Sequence, residues 1–138
     1  MEKDIRQSIT DYRMPRYICE ILCNHYAKAF LDMTIICEND TYIFSYDKKN
    51  KRRLVYRELT EIDKLQLVLT LIMINDNNCQ MLIGAERYLI EPELIYSVRN
   101  RTDYNSIGIL FYPDTTMTPF NIKLIRFMDK IGTKNKKK

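Results

Sequence analysis

Residues 87–113 constrain the fold most, because two apolar runs there flank a short polar break. The first run reads RYLIEPELIYSV, the break reads RNRTDYN and the second run reads SIGILFYP. Runs of β-branched and aromatic residues on either side of turn-forming residues are typical of two antiparallel strands. The sequence therefore predicts a central β-hairpin, with a small sheet and a buried helix before it and an amphipathic helix after it.

A second hairpin is predicted nearer the N-terminus. The runs MTIICE (residues 33–38) and TYIFSYD (residues 41–47) are separated by Asn39 and Asp40, which tolerate the backbone geometry of tight turns. Upstream, YICEILCNHY (residues 17–26) has apolar side chains at every second position, which favours a strand, with a helix as the alternative. Residues 1–10 carry little pattern, and we expect them to be mobile.

A buried helix is predicted to begin at Thr60, where Thr-Glu-Ile-Asp resembles a capping box. The residues that follow, up to Ile74, are nearly all apolar, so we expect most of this helix to be buried. A strand over LQLVLTLIMI is the alternative, but the cap and the leucine content favour the helix. We expect NDNN (residues 75–78) to end it, and residues 79–83 to form a further short helical turn.

The C-terminal helix is predicted between Thr118 and Pro119, which suit an N-cap and a first helical position, and Gly132, which suits a C-terminal stop. Its expected apolar stripe consists of Phe120, Leu124, Phe127, Met128 and Ile131. The positions expected on its solvent side are Asn121, Lys123, Arg126 and Lys130.

The formal charge of the chain is concentrated at its C-terminal end. The net charge is +4, and the tail KNKKK contains four lysines, which equals that excess. The rest of the chain is therefore close to neutral, and we expect no specific nucleic-acid partner. The tail is suited to peripheral contact with anionic lipid at roughly 1 kcal/mol per lysine. A solubilising end is the alternative, and the one we favour.

The sequence also bears on location. The N-terminal residues MEKDIRQSIT lack the apolar core of a secretory signal. The longest apolar run, residues 65–74, is shorter than the roughly 18–20 residues that cross a bilayer. We therefore expect a cytoplasmic protein, with the inner face of the cell membrane as a further option.

The four cysteines, Cys19, Cys23, Cys37 and Cys79, lie among apolar neighbours, and we expect buried free thiols. His25 is the only histidine, so a cluster of Cys19, Cys23 and His25 would lack a fourth zinc ligand. The sequence predicts no metal and no cofactor.

The run KKNKRR (residues 48–53) is the densest basic segment outside the tail. One interpretation is a contact with phosphate or acidic lipid. The other is a solvated loop between a strand and a helix, which we favour.

Residues 87–96, RYLIEPELIY, resemble the catalytic loop of protein kinases, HRDLKPENIL, with Pro92, Glu93 and Ile95 in matching places. The resemblance puts Leu89 where the catalytic Asp stands and Leu94 where the magnesium-binding Asn stands. Neither leucine can transfer a proton or bind a metal. The second magnesium ligand is also missing, and no glycine precedes the first hairpin. The resemblance therefore implies a kinase-like domain with no catalytic, cofactor-binding or metal-binding residue.

A narrower resemblance covers residues 11–114, through the ordered segments DYRM, FLDMTIICENDTYIFSYD, LTEIDKLQLVLTLIMI, YLIEPELIYSV and SIGILFYPD. They resemble the kinase-like cytosolic domain of the EssB/YukC component of bacterial type VII secretion systems. They also resemble a related uncharacterised domain that precedes forkhead-associated domains in Firmicutes proteins. The resemblance implies an α+β class with a degenerate, minimal protein-kinase-like fold. The expected organisation is a flexible N-terminus (1–10), a single kinase-like α+β domain (11–132) and a basic tail (133–138).

The leading functional hypothesis is a non-catalytic, pseudokinase-like interaction or scaffold module in a secretion or envelope assembly. It would bind protein partners, with secretion-system components as candidates, through exposed tyrosines and the basic loop 48–53. The alternative is an atypical nucleotide-binding protein or enzyme, which needs a cleft with convergent acids. The acids considered for it have no recognisable spacing: Asp47, Glu91, Glu93, Asp103 and Asp114.

Overall fold

The computed structural model describes residues 5–132, which form a mixed α+β structure. Three helices are present in this range: α1 (Arg16–Cys23), α2 (Glu61–Gln80) and α3 (Phe120–Ile131). The strands are β1 (Ile5–Thr10), β2 (Asp32–Glu38), β3 (Thr41–Asp47), β4 (Arg52–Arg53), β5 (Ile95–Ser97) and β6 (Ile107–Ile109). They form two three-stranded antiparallel sheets, ordered β1-β3-β2 and β4-β5-β6. The predicted α+β class is confirmed.

The first sheet contains the predicted N-terminal hairpin. Strands β2 and β3 pair in antiparallel register with Met33 opposite Tyr46. Asn39 and Asp40 form the turn with φ angles of 49° and 66°, the left-handed geometry that closes a two-residue hairpin. Phe44 is fully buried on the inner side, so the alternation of the strand directs one face into the core.

The second sheet contains the predicted central hairpin, with Ile95 opposite Ile109. Its strands are shorter than the apolar runs, because Pro92–Leu94 form a 3-10 turn that interrupts the first run. Pairing resumes beyond this turn, where Tyr88 lies opposite Pro113 in an isolated bridge. The Tyr46 hydroxyl of the first sheet donates to the Phe111 carbonyl at 2.5 Å, a buried contact that ties the first sheet to the segment that follows β6.

The capping box of α2 is confirmed. Thr60 Oγ1 accepts from the Asp63 N–H, and Asp63 Oδ2 accepts from the Thr60 N–H, both at 3.0 Å. The predicted stop at residues 75–78 is wrong, because the helix continues to Gln80. The buried Asn78 amide donates to the Tyr88 hydroxyl at 3.0 Å, so this polar residue is satisfied within the helix.

The prediction that most of α2 is buried is also wrong. One face packs into the core through Leu67, Leu71 and Ile74. The other face remains exposed although it too is apolar, because a single layer of structure covers a helix on one side only.

Residues 17–26 do not form the strand that their alternation favoured; the helical alternative is correct for α1. Ile18 and Leu22, four residues apart, are the two side chains of α1 that are buried, as expected for one face of a helix. Pro15 precedes the helix, and its carbonyl accepts from the Ile18 and Cys19 N–H groups. An eight-residue segment satisfies both periodicities, which explains the error.

The N-terminal segment also differs from expectation, because Ile5–Thr10 form β1 instead of a mobile end. All six of its residues pair with β3, from Ile5 opposite Tyr46 to Thr10 opposite Thr41. As an edge strand, β1 has a mostly polar sequence, which left little hydrophobic pattern to detect.

Helix α3 ends as predicted, with Gly132 in the left-handed conformation at φ 74°. Pro119 is the N-cap instead of the first helical residue. Phe127 and Ile131 are buried as expected, but the prediction that Lys123 faces solvent is wrong, since it is 6% exposed.

Candidate functional site

The most enclosed charges of the described chain are Asp114 and Lys123. Lys123 Nζ lies 2.7 Å from Asp114 Oδ2, and the two side chains are 7% and 3% exposed respectively. Asp114 directly follows the central hairpin, and Lys123 lies on the first turns of α3. The pair therefore joins the end of the second sheet to the C-terminal helix.

The remaining contacts of Asp114 shape the chain that leads into α3. Its Oδ1 accepts from the Thr116 N–H at 2.9 Å, and its Oδ2 accepts from the Thr118 N–H at 3.2 Å. Burial opposes the charged form, but the hydrogen bonds from Lys123, Thr116 and Thr118 outweigh it and lower the pKa of Asp114 to about 2. The carboxylate therefore stays ionised as a fixed acceptor.

Lys123 also binds the loop that precedes the central hairpin. Its ammonium group donates to the Ala85 carbonyl at 2.5 Å and to the Tyr88 carbonyl. With Asp114, these acceptors match the three N–H donors of an ammonium group. We call these four residues the lysine clamp: Ala85, Tyr88, Asp114 and Lys123. Because every N–H donor of the ammonium group is used within the chain, the lysine clamp stabilises the fold and leaves no donor for a ligand.

The kinase resemblance predicted leucines at two positions that would otherwise carry catalytic residues, Leu89 and Leu94. Leu89 and Leu94 are both half-buried, and they line a shallow cavity of about 200 Å³ with Leu110 and Tyr112. The Leu89 N–H donates to the Tyr112 carbonyl at 2.9 Å, which continues the hairpin pairing. At both positions, therefore, an aliphatic side chain lies beside the second sheet and lines a shallow cavity.

The five candidate acids do not converge. Glu91 and Asp114 line one cavity of about 170 Å³, where Lys130 pairs with Glu91 and Lys123 pairs with Asp114. Glu93 lies with Glu91 at the neighbouring leucine-lined cavity. Asp103 accepts from the Ser106 hydroxyl, and Asp47 accepts from the Lys49 N–H. Glu91 and Asp114 are thus each neutralised by a lysine.

The outer face of α2 exposes a regular set of aliphatic side chains. Ile62, Leu65, Leu69 and Ile72 recur at intervals of three and four residues, and they are 77%, 50%, 61% and 36% exposed. Met73 extends the set and is 51% exposed. We call these five residues the α2 stripe. The spacing is that of a helix seam that packs against a second helix.

The basic loop 48–53 divides between two environments. Lys49 Nζ lies 2.6 Å from Asp32 Oδ2, and this bond and His25 lower the pKa of Asp32 against the opposing effect of burial. Arg52 and Arg53 form β4 and pair with Ser97 and Tyr96 of β5. The expected solvated loop is thus partly a strand.

Strand β4 borders an open pocket of about 440 Å³. We call it the arginine pocket, and the polar and charged residues that line it include Asn50, Arg52, Arg53, Glu58, Arg99 and Asn100. The sequence did not predict that Arg99 belongs to this site, because only the pairing of β4 with β5 brings Arg99 near the basic run 48–53.

The tyrosines expected at an interface are divided between core and surface. Tyr46 and Tyr96 are buried, and burial raises the pKa of Tyr46 well above its usual range. Tyr17 and Tyr26 are 40% and 65% exposed, and the Tyr17 hydroxyl donates to the Leu82 carbonyl at 2.6 Å.

All four cysteines are free thiols, but the expectation that they are buried is wrong: Cys19 and Cys23 are only partly buried, and Cys37 and Cys79 are exposed. Cys37 lies on edge strand β2, and Cys79 lies on the uncovered side of α2 near its end. Within residues 5–132, no three acids, cysteines or histidines are grouped in a way that suits a metal ion. The basic tail, residues 133–138, lies outside the described residues.

Comparisons with protein-family models, with curated proteins and with solved structures return no match. Over residues 5–132, no helix combines the length and the apolar character needed to cross a membrane.

Proposed function

We propose that this chain is a non-catalytic, minimal kinase-like interaction module that binds an amphipathic helix of a protein partner along the α2 stripe. The observation that carries the proposal is the seam itself, five exposed aliphatic side chains at helix-pairing intervals. Its resemblance to a type VII secretion component makes secretion-system proteins the first candidates for the partner.

The surroundings of the α2 stripe indicate the charge of that partner. Thr102 accepts at its carbonyl from Thr70 Oγ1 at 2.7 Å, and its hydroxyl donates to Gln66 Oε1 at 2.7 Å. These contacts hold the segment with Arg99 and Arg101, both exposed, beside α2. A helix with an apolar seam and acidic residues along one side complements this surface.

An atypical nucleotide-binding protein or enzyme is the less supported proposal. Glu91 and Asp114 share a cavity, but each is paired with a lysine, and the lysine clamp uses all three ammonium donors. We expect nucleotide with magnesium to leave the melting temperature unchanged.

The interaction proposal is tested by placing a photo-crosslinking amino acid at Leu69, in the α2 stripe, and at Leu82, an exposed position outside it. Crosslinks formed in the native cells identify the partner segment by mass spectrometry. We expect the Leu69 probe alone to capture an acidic segment with apolar residues at helical spacing.

A synthetic peptide of that segment then permits a quantitative comparison. We expect Leu69→Asp to weaken its binding by about tenfold or more, as for loss of an interface anchor, and Leu82→Asp to leave it unchanged. Capture of lipid or of a second copy of this chain at Leu69, or equal weakening by both substitutions, would refute the proposal.

A further inference from the structure

Three arginines and one glutamate line the arginine pocket, and the Arg53 Nε group donates to the Tyr96 hydroxyl at 3.5 Å. The three arginines are Arg52, Arg53 and Arg99, and the glutamate is Glu58. None of these four side chains takes part in an ion pair within the described residues. The pocket therefore has an excess of two positive charges, open to solvent.

The wall that carries Arg99 is held in place by specific contacts. The Asn100 side chain accepts from the Val55 N–H at 2.8 Å and donates to the Val55 carbonyl at 3.1 Å, which fixes the turn against the chain after β4. Ser97 Oγ donates to the Arg101 carbonyl at 2.5 Å and closes the turn from inside. The pocket walls are thus ordered before any ligand arrives.

The backbone of this turn is unusual for its sequence. Arg99 and Asn100 have φ angles of 55° and 59°. Asn adopts this left-handed region readily, whereas for Arg it is sterically unfavourable. The turn nevertheless places Arg99 in the lining of the pocket, together with Arg52 and Arg53 of β4.

We propose that the arginine pocket binds the phosphate group of a phosphate monoester. A guanidinium group presents paired N–H donors that match two phosphate oxygens, and a phosphate dianion matches the excess of two positive charges. Asn50, which also lines the pocket, adds an uncharged amide. This inference does not rest on the proposed helix partner, since its ligand is a phosphate group; Arg99 is the residue that borders both surfaces.

The test is a titration of the full chain with inorganic phosphate at constant ionic strength, followed by the NMR signals of the Ser97 to Asn100 amides and the arginine Nε groups. We expect saturable shifts confined to the pocket, and none with chloride alone. Two monoesters then distinguish the possible sources of the phosphate group. Tighter binding of N-acetyl-O-phosphoserine methyl ester indicates a phosphorylated residue, and tighter binding of glycerol 3-phosphate indicates a lipid headgroup.

Substitutions that remove a positive or a negative charge from the pocket should change phosphate binding in opposite directions. We expect Arg52→Gln and Arg99→Gln each to weaken phosphate binding by about tenfold, the loss of one charge-assisted hydrogen bond. Glu58→Gln removes the repelling carboxylate and should tighten binding severalfold. Lys28→Gln removes an exposed cation that lines none of the pocket and should have no effect.

Three results would overturn the proposal: shifts that rise linearly without saturation, equal weakening by Lys28→Gln and Arg99→Gln, or weaker binding after Glu58→Gln. Each would show that phosphate responds to the overall charge of the chain instead of to this pocket.

Discussion

Lys123 and Arg99 are both cations of the same chain, yet their surroundings are opposite. Lys123 is 6% exposed and donates to three oxygen acceptors, two on the loop before the central hairpin and one directly after that hairpin. Arg99 lies exposed on a turn, with no ion pair among the described residues. A cation whose donors are all used contributes to stability, whereas one with free donors can contribute to binding. The lysine clamp and the arginine pocket separate these two roles.

The largest expected effect is on the lysine clamp. Asp114→Ala leaves the Lys123 ammonium group buried without its counter-charge, so we expect a loss of about 3–5 kcal/mol in the free energy of unfolding. Urea denaturation measures it. Arg52→Gln is the matched control at the arginine pocket, and we expect its effect to stay within about 0.5 kcal/mol. Similar losses for both variants would remove the distinction between the two regions.

A smaller loss of unfolding free energy is expected at low pH. The pKa of Asp114 is about 2 in the folded chain, below the value of 3.8 for a free side chain. The clamp therefore contributes fully above about pH 5 and loses about 2 kcal/mol as the pH falls towards 2. Unfolding free energies measured at intervals over this range should show the loss in the wild-type chain. In Asp114→Asn the loss of unfolding free energy over this pH range should be smaller by that amount. An unchanged loss would show that Asp114 is not the group responsible for it.

The smallest effect is expected at the turn of the arginine pocket. Arg99→Gly relieves the left-handed strain but adds freedom to the unfolded chain, so we expect a net gain of about 0.5 kcal/mol. Thermal unfolding at pH 7 measures this change. A clear loss of stability would mean that the Arg99 side chain supports the fold, and the contrast with Lys123 would then be weaker.

Local sequence signals predicted the features that depend on neighbouring residues. Asn39 and Asp40 identified the first hairpin, Thr60 and Asp63 the start of α2, and Gly132 the end of α3. In each case the side chain or backbone preference of one or two residues determines the local geometry.

Features that depend on distant residues were missed or misread. Lys123 occupies a polar position of its helix, and nothing near it in the sequence shows that Asp114 and two carbonyls surround it. Asn78 looked like a helix stop because its partner, Tyr88, lies in a later segment. Arg99 joins the basic run 48–53 only after β4 pairs with β5. Such contacts follow from tertiary packing, which overrides local preference.

The burial of Lys123 also makes this residue a chemical reporter of local opening. An amine-reactive reagent modifies exposed lysines at a rate set by its own chemistry, but it reaches Lys123 only while the ammonium group is released from its three acceptors. The modification rate at this one position, followed by mass spectrometry, therefore reports how often the lysine clamp opens in the otherwise native chain.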